Sequence, residues 1–96
     1  MAVSREALVG QWIHSHEEDE PGRTVFRRPD FIFPPARGRD SFVLRSDGTA
    51  SLGRPGPDDA PEERPGTWQF KGKTLRLGAR SLEVVSLEGE RLVLGE

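Results

Sequence analysis

Cysteine and tyrosine are absent from this chain of 96 residues. Without cysteine, no disulfide can stabilise a small core, and thiolate metal sites and thiol nucleophiles are excluded. Long apolar runs are also lacking, so no segment reaches the roughly 20 residues of a membrane span. The first residues carry neither the basic nor the apolar part of a signal peptide. We therefore expect a cytoplasmic protein without a membrane partner.

An excess of positive charge is lacking as well. The formal net charge is −2 at pH 7, whereas a general nucleic-acid binder needs a basic surface for its phosphate contacts. The chain has no Ser-His-Asp set with supporting context and no glycine-rich phosphate loop before a helix. We therefore expect no nucleic-acid partner and no cofactor, and no motif supports catalysis.

Glycine and proline are frequent instead, with 11 and 8 copies, and they lie between short apolar runs. That distribution is typical of many short strands joined by turns. Alternation of apolar and polar residues predicts eight strands, at about 9–17, 23–28, 41–46, 49–52, 66–70, 74–77, 81–87 and 91–94. Residues 31–33 are predicted either as a broken continuation of the second strand or as a flap after it, and the proline-rich segment 53–64 either as a rim loop or as a partly disordered segment.

Local signals define several connections. Ser4 predicts the N-cap of a single helical turn, Asp47-Gly48 predicts a tight hairpin, and the phase change at Val84-Val85 predicts a bulge. Eight short strands close into a barrel whose interior is either filled by side chains or holds one small ligand. The predicted fold is therefore all-β: a small eight-stranded antiparallel up-and-down β-barrel with a short N-terminal helical turn, and residues 1–96 form a single domain.

Two Gly-x-Trp motifs organise this barrel, because glycine lets the chain pass close to a neighbour and an indole plugs one end of the interior. Further short motifs follow in a fixed order; the set is Leu8-Val9-Gly10-Gln11-Trp12, Phe42-x-Leu44-x-x-Asp47-Gly48-Thr49, Gly66-Thr67-Trp68, Leu75-x-Leu77 and Leu92-Val93-Leu94. From about Leu8 to Leu94 the chain thereby resembles the small bacterial lipocalin-like domains of the calycin superfamily. The resemblance implies a meandering barrel that captures a small apolar molecule in its cup. In lipocalins an arginine after the last strand covers the Gly-x-Trp tryptophan, and here Arg91, which opens that strand, is the inexact counterpart.

Strand alternation places both histidines on the face of Trp12, which we expect to point inward. The residues expected to face a ligand are Trp12, His14, His16, Phe42 and Trp68, with Phe31 and Phe33 gating the cup from the broken strand. Two histidines at i and i+2 can also reach one metal ion, but no further histidine or cysteine supplies a third ligand. We therefore predict no metal site and expect the histidines to hydrogen-bond in the cup or at its rim.

Arginines cluster around the second predicted strand. Arg27, Arg37 and Arg39 are candidates for an anion-binding rim, because the guanidinium fork suits a carboxylate or a phosphate. The alternative is that these arginines pair with the acidic residues nearby on a solvated face, namely Glu17 to Glu20, Asp30 and Asp40.

Three functions stay open at this point. The first is binding of an apolar or amphipathic small molecule in the cup. The second is an interaction protein, such as an inhibitor or a homodimer, with a filled barrel and an outer apolar patch formed by Val9, Ile13, Val43 and Val93. The third is a small isomerase or cyclase with a barrel histidine as general base, and we favour a protein that is not an enzyme. A cavity above roughly 300 Å³ that opens to solvent favours the first function, and a closed, packed interior favours the second.

Overall fold

A computed structural model describes residues 3–35, 39–55 and 61–95 of the chain. Within these ranges, eight antiparallel strands form a closed ring with one short α-helix, which confirms the all-β class. The elements are α1 (Arg5–Leu8), β1 (Gly10–His14), the 3₁₀ turn η1 (His16–Glu18), β2 (Arg23–Arg27), β3 (Ser41–Leu44), β4 (Thr49–Pro55), β5 (Pro61–Lys71), β6 (Thr74–Leu77), β7 (Arg80–Glu88) and β8 (Arg91–Gly95). No helix in the described ranges is both long and apolar enough to cross a membrane.

The order of strands around the ring is β1, β2, β8, β7, β6, β5, β4, β3, and β3 pairs again with β1. Successive strands from β3 to β8 are neighbours, as the prediction of an up-and-down barrel requires. The first hairpin differs, because β2 lies between β1 and β8 and the chain must pass β1 to reach β3. The pairing of β1 with β2 covers only Ile13 with Arg27 and His14 with Phe26. On the side of β1 that faces β2, residues 10–12 therefore have no strand partner within the described chain.

The predicted first strand is too long. β1 ends at His14, and Ser15 leaves the extended conformation to start η1. The backbone N–H of Ser15 still donates to the Val25 oxygen, and the Val25 N–H donates to Asp19 Oδ1. These bonds hold η1 against the outer face of β2, where Val25 and its cross-strand neighbour Val93 are both buried. Val93 therefore does not belong to an exposed outer patch, contrary to the prediction.

The predicted loop 53–64 is also corrected. β4 continues to Pro55 and β5 begins at Pro61, with Gly53 opposite Glu63 and Pro55 opposite Pro61. Beyond Gly53, which still pairs with Ser41 of β3, this outer part of the hairpin pairs with no third strand in the described ranges. Nothing then requires one face to be apolar, so the sequence shows no alternation there. Residues 31–33, predicted to resume a strand, are outside any regular element.

The hairpin and the bulge are confirmed. Asp47 Oδ1 accepts hydrogen bonds from both the backbone N–H and the hydroxyl of Thr49, and Gly48 has φ of 91°, which favours glycine. The register of β7 against β8 shifts between Val84 and Ser86. As a result Val84 is buried while Val85 is 36% exposed.

Candidate functional site

The interior is filled at the end covered by α1, where both tryptophans lie. Trp12 and Trp68 are 0% and 2% exposed. The Trp12 indole N–H donates to the Leu8 oxygen over 3.0 Å, and the Trp68 N–H donates to the Arg45 oxygen over 2.7 Å. Each buried indole thus has a backbone acceptor, which removes the desolvation cost of an unpaired N–H. Trp12 and Trp68 act as packing residues at this end.

An arginine covers each indole, and the one over Trp12 is Arg28. Its guanidinium carbon lies 3.8 Å from the Trp12 ring centroid, and its Nη1 and Nη2 donate to the oxygens of Val9 and Ala7 over 3.2 and 3.0 Å. The arginine over Trp12 is therefore Arg28 and not Arg91, because β2, not β8, is the neighbour of β1. Burial lowers the pKa of Arg28.

Gly10 is required by this arrangement. Its φ is 127°, a conformation that side chains rarely adopt, and a Cβ placed on it would overlap Nη1 of Arg28. Gly66, its counterpart in the second motif, has neither a positive φ nor an atom within 4 Å of such a Cβ. The two Gly-x-Trp motifs therefore share the buried tryptophan but differ in what the glycine does.

The opposite end of the ring contains an open cavity of about 220 Å³, which we call the cup. Its apolar lining consists of Phe26, Phe42, Leu52, Leu77 and Leu82, and its mouth is formed by Asp40, Ser41, Gly53, Arg64 and Arg80. The rings of Phe26 and Phe42 are 4.9 Å apart and meet edge to face. The cup is smaller than the 300 Å³ at which drug-sized sites begin. It has room for a small molecule or for one end of a longer one.

A second hollow of about 560 Å³, which we call the bulge groove, runs beside the irregularity in β7. Its lining includes Val3, Phe70, Lys73, Val84, Val85, Leu87 and Glu88. The groove has a larger volume than the cup, but the two charged residues at its edge, Lys73 and Glu88, are of opposite sign. The cup combines an aromatic lining with two guanidinium groups, and a few convergent polar groups in an apolar pocket are typical of ligand sites.

Of the residues predicted to face a ligand, Phe42 lines the cup. His14 lies close by: its ring is 5.3 Å from Phe26, and its Nε2 lies 2.8 Å from Asp19 Oδ2. His16 was predicted to point inward, but it begins η1, and its side chain is 51% exposed beside Glu17. The early end of β1 explains this difference, because alternation no longer applies beyond His14.

Phe31 and Phe33, predicted to gate the cup, lie outside it in an assembly that we call the outer clamp. Their rings contact each other at 4.9 Å; Arg27 covers Phe31 at 4.5 Å, and Arg39 covers Phe33 at 4.7 Å. Each guanidinium also forms a two-bond pair with a carboxylate: Arg27 with Glu18 over 2.6 and 2.8 Å, and Arg39 with Glu17 over 2.6 and 2.8 Å. The outer clamp links residues 31–33 to η1 through the two arginines, and Ile32 is 91% exposed.

The predicted anion rim is corrected by these pairs. Arg27 and Arg39 already hold carboxylates of the same chain, as the alternative interpretation required, and Arg37 lies outside the described residues. The arginines that line the cup are Arg64 and Arg80. Sequence reasoning missed Arg64 because it placed that residue in a loop, although β5 includes it.

The outer clamp predicts how stability changes with pH. The hydrogen bonds from Arg27 lower the pKa of Glu18 from 4.5 to about 2, and those from Arg39 lower the pKa of Glu17 from 4.5 to about 2. Because these folded pKa values lie below the unfolded ones, the stabilisation is present above about pH 4.5 and is lost as the pH falls towards 2. Urea unfolding over this range should show a steeper loss for the wild type than for the double variant Glu17→Gln/Glu18→Gln.

Glu88→Gln is the matched control, because Glu88 is an exposed glutamate outside the clamp. This control should keep the wild-type profile. Identical profiles for the wild type and the double variant would contradict the role given to the two ion pairs.

The chain matches no protein-family model, no curated protein and no solved structure. The function is therefore inferred from the geometry of the cup. That geometry offers an apolar floor, an open mouth and cationic groups at the mouth, a combination suited to non-covalent binding.

Proposed function

We propose that the protein binds a small amphipathic molecule in the cup. The observation that carries this proposal is the open cavity itself: the interior is filled around Trp12 and Trp68 but leaves about 220 Å³ between Phe26, Phe42 and Leu82. An apolar group placed there would be removed from water at a gain of about 25 cal/mol for each Å² buried. The size of the cavity favours a short alkyl chain or a single ring system.

We also propose that the chain is a distant lipocalin-like domain. The eight-stranded antiparallel ring and the arginine over the Gly-x-Trp tryptophan support this proposal. Two features depart from the pattern: β2 lies between β1 and β8, and the covering arginine, Arg28, follows β2 and not the last strand. Both departures have one cause. The arginine that covers Trp12 must come from a segment beside β1, and here that segment follows β2 and not the last strand.

An enzyme that uses a barrel histidine gains no support from the cup. Neither His14 nor His16 lines it, and a general base must come within hydrogen-bond reach of the bound molecule. The interior is not closed, as the interaction protein with a filled barrel would require, although the 220 Å³ of the cup lies below the roughly 300 Å³ expected for the first function.

Blocking the cup tests the proposal. Leu82 points into the cavity and is half-buried, so Leu82→Trp should fill the space without removing a fully buried side chain. Isothermal titration with octanoate should show at least about a tenfold loss of affinity, which corresponds to 1.4 kcal/mol. Ile32→Trp, at an exposed site outside the cup, is the matched control and should bind as the wild type does. Equal affinity for Leu82→Trp and the wild type would refute binding in the cup.

A further inference from the structure

Arg64 and Arg80 occupy inward-facing positions of their strands. On β5, Arg64 is in phase with Trp68 and lies directly opposite Leu52 on β4. On β7, Arg80 is in phase with Leu82 and Val84 and lies opposite Leu77 on β6. Successive residues of a strand alternate between faces, so Arg64 and Arg80 occupy inward-facing positions. Among the inward-facing residues of their strands, they are the ones that lie at the mouth of the cup.

The apolar lining of the cup therefore ends, at the mouth, in two positively charged side chains. Long cationic side chains at an apolar boundary are expected to keep their aliphatic stems along the apolar surface and their charged groups in water. Both residues are exposed overall, and β6 alone separates their strands. The two cations thus lie two strands apart at the mouth, and Asp40, which precedes β3, lies two strands from Arg64 on its other side.

The state of these two arginines differs from that of the arginines in the outer clamp. Arg27 and Arg39 are held by Glu18 and Glu17. Neither Arg64 nor Arg80 makes an ion pair with a carboxylate whose side chain the structure describes, a set that does not include Glu62 and Glu63. The donors at the mouth are therefore available to a ligand in the described part of the molecule, whereas those of the clamp are occupied.

We infer that the ligand is an amphipathic organic anion, whose apolar part lies in the cup and whose anionic group lies between Arg64 and Arg80. This inference rests on the proposed function and adds the charge of the ligand and the residues that recognise it. Guanidinium groups bind carboxylates and sulfates through paired N–H donors, and such charge-assisted bonds are about twice as strong as neutral ones.

A series of ligands with one alkyl chain and different head groups tests the inference. Octanoate, octyl sulfate, octanol and octyltrimethylammonium are titrated calorimetrically into the protein below their micelle-forming concentrations. The wild type should bind at least one of the two anions about tenfold more tightly than octanol, and the cation should bind more weakly than octanol. A preference for octanoate over octyl sulfate, or the reverse, identifies the head group that the mouth accepts.

The variants Arg64→Gln, Arg80→Gln and their combination identify the residues responsible. The double variant should bind the preferred anion no more tightly than octanol, with octanol affinity unchanged. Arg76→Gln is the control: Arg76 is an exposed arginine on β6 outside the cup, and its removal changes the net charge equally. The control should keep the preference for the anion.

Three results would overturn the inference. If octanol binds the wild type as tightly as both anions do, the anion preference is absent while the proposed function stands. If Arg76→Gln loses the preference as fully as the double variant, long-range charge and not the mouth is responsible. If no member of the series binds, the proposed function fails together with the inference.

Discussion

Replacing Trp12 with alanine is expected to lower the free energy of unfolding by about 3–5 kcal/mol, as for other large aromatic side chains removed from a core. Trp12 is fully buried, its N–H is bonded to the Leu8 oxygen, and its ring supports Arg28. Domains of this kind are stable by only about 5–15 kcal/mol in total. Urea unfolding can be followed by the fluorescence of Trp68, which the variant retains.

Trp12→Phe keeps the measurement informative if the alanine variant fails to fold. This variant retains a ring beneath Arg28 but loses the N–H bond, so its loss of stability should be smaller than that of Trp12→Ala. Val85→Ala, at an exposed position, is the control and should change stability little. A loss below about 1 kcal/mol for Trp12→Ala would be ordinary for any substitution and would contradict the organising role of Trp12.

Arg28→Met is expected to have the second-largest effect, a loss of about 2–4 kcal/mol in the free energy of unfolding. The substitution removes the hydrogen bonds to the oxygens of Ala7 and Val9 and the cation over the Trp12 ring, while methionine keeps much of the apolar stem. These carbonyl groups directly precede β1, whose pairing with β2 begins only at Ile13, so β2 provides no substitute partner.

Arg91→Met separates the two candidates for the arginine over Trp12. Arg91 makes only a 3.7 Å contact with Glu18, and exposed pairs of that kind contribute about 0–1 kcal/mol. Urea unfolding should therefore show a small change for Arg91→Met and a large one for Arg28→Met. Equal losses for the two variants would show that Arg28 has no special role at this end of the ring.

Much of the ring could be predicted because its strands have one buried face. The hairpin at Asp47-Gly48, the β7 bulge and the inward phase of Leu92 and Leu94 follow from a period of two and from local turn chemistry. The residues that carry these signals are close together in the sequence. Each is constrained by its immediate neighbours, so a single chain is enough to find them.

The position of β2 could not be predicted, because it depends on which distant strand pairs with it. Its five residues alternate in the same way whether the other neighbour is β3 or β8. The place of Arg28 over Trp12 follows from that choice, whereas the resemblance to lipocalins pointed, inexactly, to Arg91. The end of β1 at His14 was missed for a related reason: side-chain bonds made by Asp19, five residues further on, stabilise the turn.

The cup could be predicted in part. Phe42 was assigned to it, and the inward phases of Leu52, Leu77 and Leu82 follow from alternation. Arg64 was missed, because prolines and charges before it resemble a loop, whereas β5 runs through them as half of a two-stranded ribbon. Charge clusters in the sequence pointed to Arg27 and Arg39, but the acidic run before β2 supplies Glu18 and Glu17, which pair with them.

The most direct test of the cup is an NMR titration of the methyl groups with octanoate. The account predicts saturable shifts at Leu52, Leu77 and Leu82, which line the cup, and none at Val85 in the bulge groove. Shifts confined to Val85 and its neighbours in the groove, or no shift in the leucine methyl groups of the cup at high ligand concentration, would contradict it.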